Sequence, residues 1–186
     1  IVNLRVLDAR GQGMASSVIA AIDWAIANRR RYNIRIINTS LGAPVLQSYA
    51  DDPIDQAVER AYRAGILVVA SAGNFGKAAD GRSIYGGISA PGNSPYAVTV
   101  GAMNAQKTPY RSDDTLASYS SKGPTVIDRF LKPDVVAPGN RVVSLLAPGS
   151  TLALEHPEKV VMTVAGARLE LSGTSMAAPA VAGAAA

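Results

Sequence analysis

The 186-residue sequence contains no cysteine, a single histidine and no apolar run of membrane-spanning length. Without cysteine the chain has no disulfide, no thiolate metal site and no thiol nucleophile. Without about 20 consecutive apolar residues, no transmembrane helix is expected. With one histidine, any imidazole base within the chain has to be His156.

Strong charge is also missing, because the formal net charge is only +4. The densest basic cluster, Arg29-Arg30-Arg31, follows a predicted helix, where cations suit the helix dipole and water. We therefore expect neither a nucleic-acid partner nor a membrane partner.

The two ends of the sequence lack the usual signals. "IVNLRVLD" opens the chain without an initiator methionine or a signal peptide, and "AVAGAAA" closes it without a helix stop signal. The composition, 48% hydrophobic and 17% charged, suits one domain with a real core. We expect residues 1–186 to be part of one domain of a longer protein, truncated at both ends.

Short apolar runs alternate with amphipathic stretches along the chain. Runs that are apolar on both faces and joined by helices are typical of a doubly wound, mostly parallel α/β sheet with helices on both faces. The predicted strands are residues 1–8, 34–41, 66–74, 96–102 and 133–137, the predicted helices are 16–28 and 53–64, and a hairpin is predicted over 160–171.

Three polar segments follow predicted strands or precede a predicted helix: "NTSLG" (38–42), "SAGN" (71–74) and "SGTSMAAP" (172–179). Open parallel sheets bind ligands beyond the carboxyl ends of their strands, so these segments are expected to meet. Ser175 is predicted at a helix N-terminus, where free N–H groups stabilise negative charge. It is either a nucleophile or an N-cap serine. Asn74 is either an amide donor to an oxyanion or a turn asparagine.

Six segments together resemble one family, the subtilisin-like serine peptidases, or subtilases. The resemblance covers nearly the whole chain, with the segments in the family's order. The segments are "INTSLG", "VVASAGN", "APGNSPYAVTVGA", "SYSSKGPT", "KPDVVAPGNRVVS" and "GTSMAAPAVAG", and "VLDARGQG" also matches a strand and turn of the family.

The resemblance implies a role for each matching position. Ser175 is the nucleophile of a serine endopeptidase, and its own N–H with the Asn74 amide forms the oxyanion hole. Ser40, Leu41 and Gly42 form an edge that pairs with a polypeptide substrate in extended conformation. The walls of the substrate side-chain pocket are assigned to Ala72, Gly73 and the stretch 88–91.

The same resemblance implies a catalytic aspartate and histidine that this sequence lacks. The family's Asp-Thr/Ser-Gly and His-Gly-Thr-His motifs are absent and belong, in the family's order, before Ile1. Asp8 is predicted to be a turn residue, and Asp134 is a poor candidate for the acid. His156 is predicted to be an exposed loop residue without an evident orienting carboxylate. The chain alone is therefore expected to be inactive.

The absent segment also carries a central strand of the family's sheet, between the strands matching 1–8 and 34–41. Unpaired strand edges pair with whatever is available. We expect the chain to close this gap, to form a strand-swapped homodimer, or to be accompanied by the missing N-terminal part of its own domain.

Two other functions are open to the same fold. A non-catalytic relative would keep it as a peptide-binding or interaction module, although the intact "GTSMAAP" and Asn74 argue against this. A nucleotide-binding domain would need a phosphate loop that "DARGQGMASS" does not supply.

The resemblance also bears on cofactors and location. No cofactor is required and no metal ligand is assigned. Many subtilases bind structural calcium, and carbonyls near 92–97 are a candidate position, but no carboxylate cluster supports one. By resemblance, an extracellular location is favoured over a cytoplasmic one.

Overall fold

The computed structural model describes all 186 residues. Its helices are α1 (Ala15–Tyr32), α2 (Pro53–Arg63), α3 (Thr151–Glu155) and α4 (Thr174–Ala185), with a 3-10 turn at Pro157–Lys159. Its strands are β1 (Ile36–Thr39), β2 (Leu67–Ser71), β3 (Ala97–Asn104), β4 (Thr115–Leu116), β5 (Val135–Pro138), β6 (Val142–Leu145), β7 (Val160–Thr163) and β8 (Gly166–Leu171).

The main sheet is mostly parallel, as the sequence predicts. β1, β2 and β3 are adjacent and parallel, and β5 is also parallel to β3. Only the two-residue β4 is antiparallel to β3. The carboxyl ends of β1 and β2 therefore open toward the same edge of the sheet.

Helices cover both faces of this sheet. On one face, α1 and α2 pack Ile22 and Val58 against Val68. On the other face, α4 packs Ala177 and Ala178 against β2, β3 and β5, and both alanines are fully buried. The small side chains of α4 allow it to lie directly beneath the strands.

The caps of α2 explain why it begins and ends where it does. The Asp52 carboxylate accepts hydrogen bonds from two N–H groups of the first turn, and Pro53 occupies the first helical position. Gly65, with φ of +78°, follows the helix as its stop signal. Tyr62, near the end of the helix, is 55% exposed, and its ring lies 5.4 Å from the Tyr96 ring.

Residues 1–8 form no strand, contrary to the prediction. A strand forms only where a neighbour satisfies its N–H and C=O groups, and this segment has none. β1 pairs only with β2, so the chain does not close the gap between the two segments. A groove of about 670 Å³, lined mostly by apolar side chains, separates residues 1–6 from β1.

The hairpin predicted over 160–171 is present as β7 and β8. β6, which the sequence did not predict, pairs with the other side of β8 to give a three-stranded antiparallel sheet. Just after β8 the Gly173 N–H donates to the Gly139 carbonyl at 2.8 Å, which fixes the start of α4. No helix of the structure combines the length and apolarity needed to cross a bilayer.

Candidate active site

Ser175 is the second residue of α4, as predicted, and Gly173 rather than a serine is the N-cap. Its side chain is half-buried at the mouth of a cavity and its hydroxyl makes no hydrogen bond within the chain. Because Ser175 is in the first turn of α4, its hydroxyl lies beside the N–H groups at the start of that helix and the positive end of the helix dipole. This position favours negative charge developing next to the serine oxygen.

Asn74 lies three residues beyond β2 and contacts the start of α4. Its side-chain oxygen accepts hydrogen bonds from the Thr174 N–H at 2.9 Å and from the Thr174 hydroxyl at 3.2 Å. The Thr174 hydroxyl in turn accepts from the Gly73 N–H at 3.1 Å. These contacts orient the amide, leaving Asn74 Nδ2 free to donate into the cavity that Ser175 also lines.

Thr174 therefore holds the candidate site together, and sequence reasoning did not single it out. Its hydroxyl is fully buried and bridges the loop after β2 to the first turn of α4. A threonine at the first position of a helix is common, so its side chain gave no signal in the sequence.

The segment after β1 also reaches Ser175. The Ser40 hydroxyl donates to the Ser175 carbonyl at 2.8 Å and accepts from Asn38 Nδ2 at 2.9 Å. The Leu41 carbonyl is already bonded by the Ser71 hydroxyl at 3.2 Å. The backbone groups of Ser40 and Gly42 make no hydrogen bond within the chain.

The cavity beside Ser175 has a volume of about 490 Å³. Gly42 and Gly73 form two of its walls, and neither position has room for a larger residue. A Cβ at Gly42 would lie 2.7 Å from Ser89 Oγ, and one at Gly73, where φ is +103°, would lie 2.9 Å from Ser121 Oγ. Further walls are formed by Leu41, Ser71, Phe75, Gly86, Gly87, Ile88, Ser89 and Val126.

Part of the predicted wall lies elsewhere. Ala72 is fully buried and does not line the cavity; its carbonyl accepts from the Ser89 N–H. Ala90 and Pro91 are also outside the lining, which includes only Ile88 and Ser89 from that stretch. Ser71 and Gly73, on either side of Ala72, do line the cavity.

The only histidine does not line this cavity. His156 is exposed at the end of α3, and its Nδ1 lies 3.3 Å from Glu158 Oε1. The expectation that no carboxylate accompanies it is therefore wrong, but the pair is on the surface. Asp8 accepts from the N–H groups of Arg10 and Gln12 and is a turn residue, as predicted.

Two of the carbonyls in the candidate calcium position at 92–97 already accept hydrogen bonds from side chains. The Ala97 carbonyl accepts from the Lys132 ammonium at 2.9 Å, and the same ammonium lies 2.7 Å from Asp134 Oδ2. The Gly92 carbonyl accepts from the Thr99 hydroxyl at 2.6 Å. The Lys132 ammonium places a positive charge at the Ala97 carbonyl, which disfavours a second cation at that oxygen. No group of three or more acidic, histidine or cysteine side chains is placed to bind a metal.

Comparison with known proteins gives consistent results. The model of the Subtilase family matches residues 1–186. The serine protease AprX of Bacillus subtilis (strain 168) is 37% identical over 196 residues, which span 100% of this chain and 41% of AprX. Subtilisin E of the same strain is 36% identical over 183 residues, which span 98% of this chain and 37% of subtilisin E.

Solved structures show the same relationship. The S41 psychrophilic protease superposes with a TM-score of 0.72 at 30% identity, covering 97% of this chain and 51% of that protease. Sphericase superposes with a TM-score of 0.71 at 29% identity and equal coverage. The chain thus spans about two fifths of its curated relatives and half of the solved ones. The fold, the order of the motifs and these matches show that the chain belongs to the subtilase family of serine proteases.

Proposed function

We propose that this chain is the nucleophile-bearing part of a subtilisin-like serine endopeptidase. The observation that carries the proposal is the hydrogen-bonded contact between Asn74 and Thr174, which brings the free Asn74 amide and the Ser175 hydroxyl to one cavity. Ser175 is the nucleophile, and Asn74 Nδ2 with the Ser175 N–H forms the oxyanion hole.

In the proposed reaction the Ser175 oxygen attacks the carbonyl carbon of a peptide bond while a base accepts the hydroxyl proton. The carbonyl oxygen becomes an anion and receives hydrogen bonds from Asn74 and the helix N–H. The C–N bond then breaks, the amine leaves with the proton, and the acyl group remains on Ser175. Attack by water releases the acid and restores the hydroxyl.

The base and its orienting acid are proposed to lie in a part of the protein outside residues 1–186. A base has to reach the serine oxygen at about 2.6–3.2 Å, and no histidine lines the cavity. His156 has Glu158 as its partner on the surface instead. The 186-residue chain alone is therefore expected to lack triad-dependent activity.

The proposed substrate is a polypeptide in extended conformation. The unpaired backbone groups of Ser40 and Gly42 offer a short strand edge beside Ser175. The cavity walls Phe75, Ile88 and Val126 would take the side chain that precedes the cleaved bond.

The proposed partner of the groove beside β1 is a strand from the N-terminal part of the same domain. The groove is apolar, and one edge of β1 is free to pair. A strand swapped from a second copy would satisfy the same edge, and the oligomeric state of the protein separates the two arrangements. No cofactor is required by the proposed chemistry, and an extracellular location is proposed from the subtilisin relatives.

A fluorophosphonate probe, which labels activated serines, tests the proposal. We expect the full-length protein to be labelled at Ser175, while the isolated 186-residue chain and a full-length Ser175→Ala variant stay unlabelled. Ser112→Ala, at an exposed serine, is the matched control and should label normally. Equal labelling of the isolated chain would show that the base lies within it. A full-length protein that binds peptide but is never labelled would support the non-catalytic module instead.

A further inference from the structure

The first turn of α2 contains a buried carboxyl group that the proposed peptidase chemistry does not use. Asp55 is fully buried, and so is its hydrogen-bond partner Asn93. Asn93 Nδ2 donates to Asp55 Oδ2 at 2.7 Å, and this is the one hydrogen bond of the Asp55 carboxyl.

Each side chain of this pair also has a buried oxygen with no partner: Oδ1 of Asp55 and Oδ1 of Asn93. Both atoms are acceptors if the carboxyl is ionised, and buried acceptors without a donor are costly. A protonated carboxyl gains one O–H donor. An acid and an amide can then form a ring of two hydrogen bonds, with N–H to carboxyl oxygen and O–H to amide oxygen. One proton shared between Asp55 Oδ1 and Asn93 Oδ1 would give both unpartnered atoms a hydrogen bond.

The electrostatic surroundings favour that proton. Burial, the largest cause, raises the pKa of Asp55 from 3.8 to about 7, against the hydrogen bond from Asn93, which lowers it. Two carboxylates add to the increase, Asp52 on the same helix and Asp128 from the loop packed against it. Asp128 is held in place by the Ser48 hydroxyl at 2.6 Å and the Tyr49 N–H at 3.0 Å.

We propose that Asp55 is a neutral carboxylic acid in the folded protein, that it donates its proton to Asn93 Oδ1, and that this acid–amide pair fixes one wall of the cavity beside Ser175. Asn93 lies in the loop between β2 and β3, four residues after Ser89, which lines the cavity. Ionisation would leave both buried acceptors without a donor and loosen the loop from α2. Asp55 is thus a positioning residue. The effect of Asp55 on substrate binding rests on the proposed peptidase function. The existence of the protonated Asp55–Asn93 pair does not depend on that function.

The proposal predicts how stability depends on pH. The pKa of Asp55 is higher in the folded chain than in the unfolded chain. The contribution of the protonated Asp55 to folding stability is therefore fully present below pH 3.8 and is lost as pH rises through about 7. Between these limits, the unfolding equilibrium constant increases by up to about tenfold for each pH unit because of this one group.

Asp55→Asn in the full-length protein tests the pair, because an amide at 55 offers the same donor and acceptor without a titrating proton. Urea unfolding is measured at pH 5 and pH 8 for the wild type, Asp55→Asn and Asp51→Asn, an exposed neighbouring aspartate. From pH 5 to pH 8, we expect the unfolding equilibrium constant of the wild type to rise more than tenfold relative to that of Asp55→Asn. The unfolding equilibrium constant of Asp51→Asn should change with pH as that of the wild type does. A ratio that does not change with pH would overturn the proposal.

Infrared spectroscopy of the wild type provides a test that needs no folded variant. We expect the carbonyl stretch of a protonated carboxylic acid to persist at pH 6, where exposed carboxyls are ionised, and to disappear by pH 9. Absence of this band at pH 6 would overturn the proposal.

Enzyme kinetics test the role of the pair in the cavity wall, in a full-length protein that is active on a peptide substrate. The ratio of the wild-type KM to the Asp55→Asn KM should rise severalfold from pH 6 to pH 9, while the corresponding kcat ratio stays unchanged. A constant KM ratio would overturn the role of the pair in the cavity wall. An inactive protein would count against the peptidase function and leave the unfolding and infrared results to decide on the pair.

Discussion

The side-chain oxygen of Asn74 and the backbone nitrogen of Thr174 lie 2.9 Å apart across a sequence separation of 100 residues. This hydrogen bond joins the loop after β2 to the first turn of α4, on either side of the cavity that Ser175 lines. It uses the acceptor of the Asn74 amide and leaves the donor free. The fold therefore orients the amide, which is what its proposed role in stabilising an oxyanion requires.

Asn74→Ala in the full-length protein removes the proposed oxyanion donor without removing the nucleophile. We expect kcat to fall by roughly 10²–10³ with little change in KM, the figure being that of the equivalent change in subtilisin itself. Steady-state kinetics on a peptide substrate measure this, with Asn28→Ala, at a half-buried position on α1 outside the cavity, as the control. An unchanged kcat would remove Asn74 from the mechanism.

Ser40→Ala breaks the hydrogen bond to the Ser175 carbonyl at the start of α4. A hydrogen bond of this kind contributes about 1 kcal/mol to stability. We expect a loss of that size in urea unfolding. Ser112→Ala, at an exposed serine that makes no hydrogen bond within the chain, should leave the midpoint unchanged. Equal midpoints for the two variants would show that the Ser40 contact does not stabilise the fold.

Gly42→Ala narrows the cavity, because the added methyl group would lie 2.7 Å from Ser89 Oγ. We expect KM to rise several-fold for substrates with a large side chain before the cleaved bond, and less for those with a small one. Gly183→Ala is the matched control, since a Cβ there meets nothing within 4 Å. If KM rises equally for large and small side chains, this cavity is not the side-chain pocket.

Lys132→Met removes the ammonium that bonds Ala97 and Asp134. Asp134 is 40% exposed and stays hydrated without its partner, so we expect the loss of the ammonium's hydrogen bonds to cost about 1.5–3 kcal/mol rather than the larger cost of breaking a fully buried ion pair. Unfolding of the full-length variant measures the loss, and Lys107→Met, at a lysine that is 66% exposed, serves as the control. Equal stability of the two variants would mean that the contacts of Lys132 with Ala97 and Asp134 do not stabilise the fold.

The parallel strands and α2 could be predicted from the sequence because their signals are local. Asp52, Pro53 and Gly65 mark the ends of α2, and the apolar run at 66–74 predicts a strand that is covered on both faces. Family motifs placed Ser175 and Asn74 at one edge of the sheet. The structure brings both to the same cavity.

The remaining features depend on contacts between distant parts of the chain. Residues 1–8 have the composition of a strand but no neighbour to pair with, so propensity alone gave the wrong result. β6 forms because β8 offers a second edge, and Val126 reaches the cavity from a loop with no signal of its own. The role of Thr174 depends on an asparagine 100 residues away. No local pattern contains such information.

A crystal structure of the full-length protein after phosphonylation tests whether Ser175 and Asn74 act on the same oxygen, because the bound phosphonyl group imitates the tetrahedral intermediate. We expect a covalent bond to Ser175 Oγ, with one phosphonyl oxygen within about 3.1 Å of both Asn74 Nδ2 and the Ser175 nitrogen. A phosphonyl group attached to another residue, or one whose oxygen points away from Asn74, would contradict this expectation.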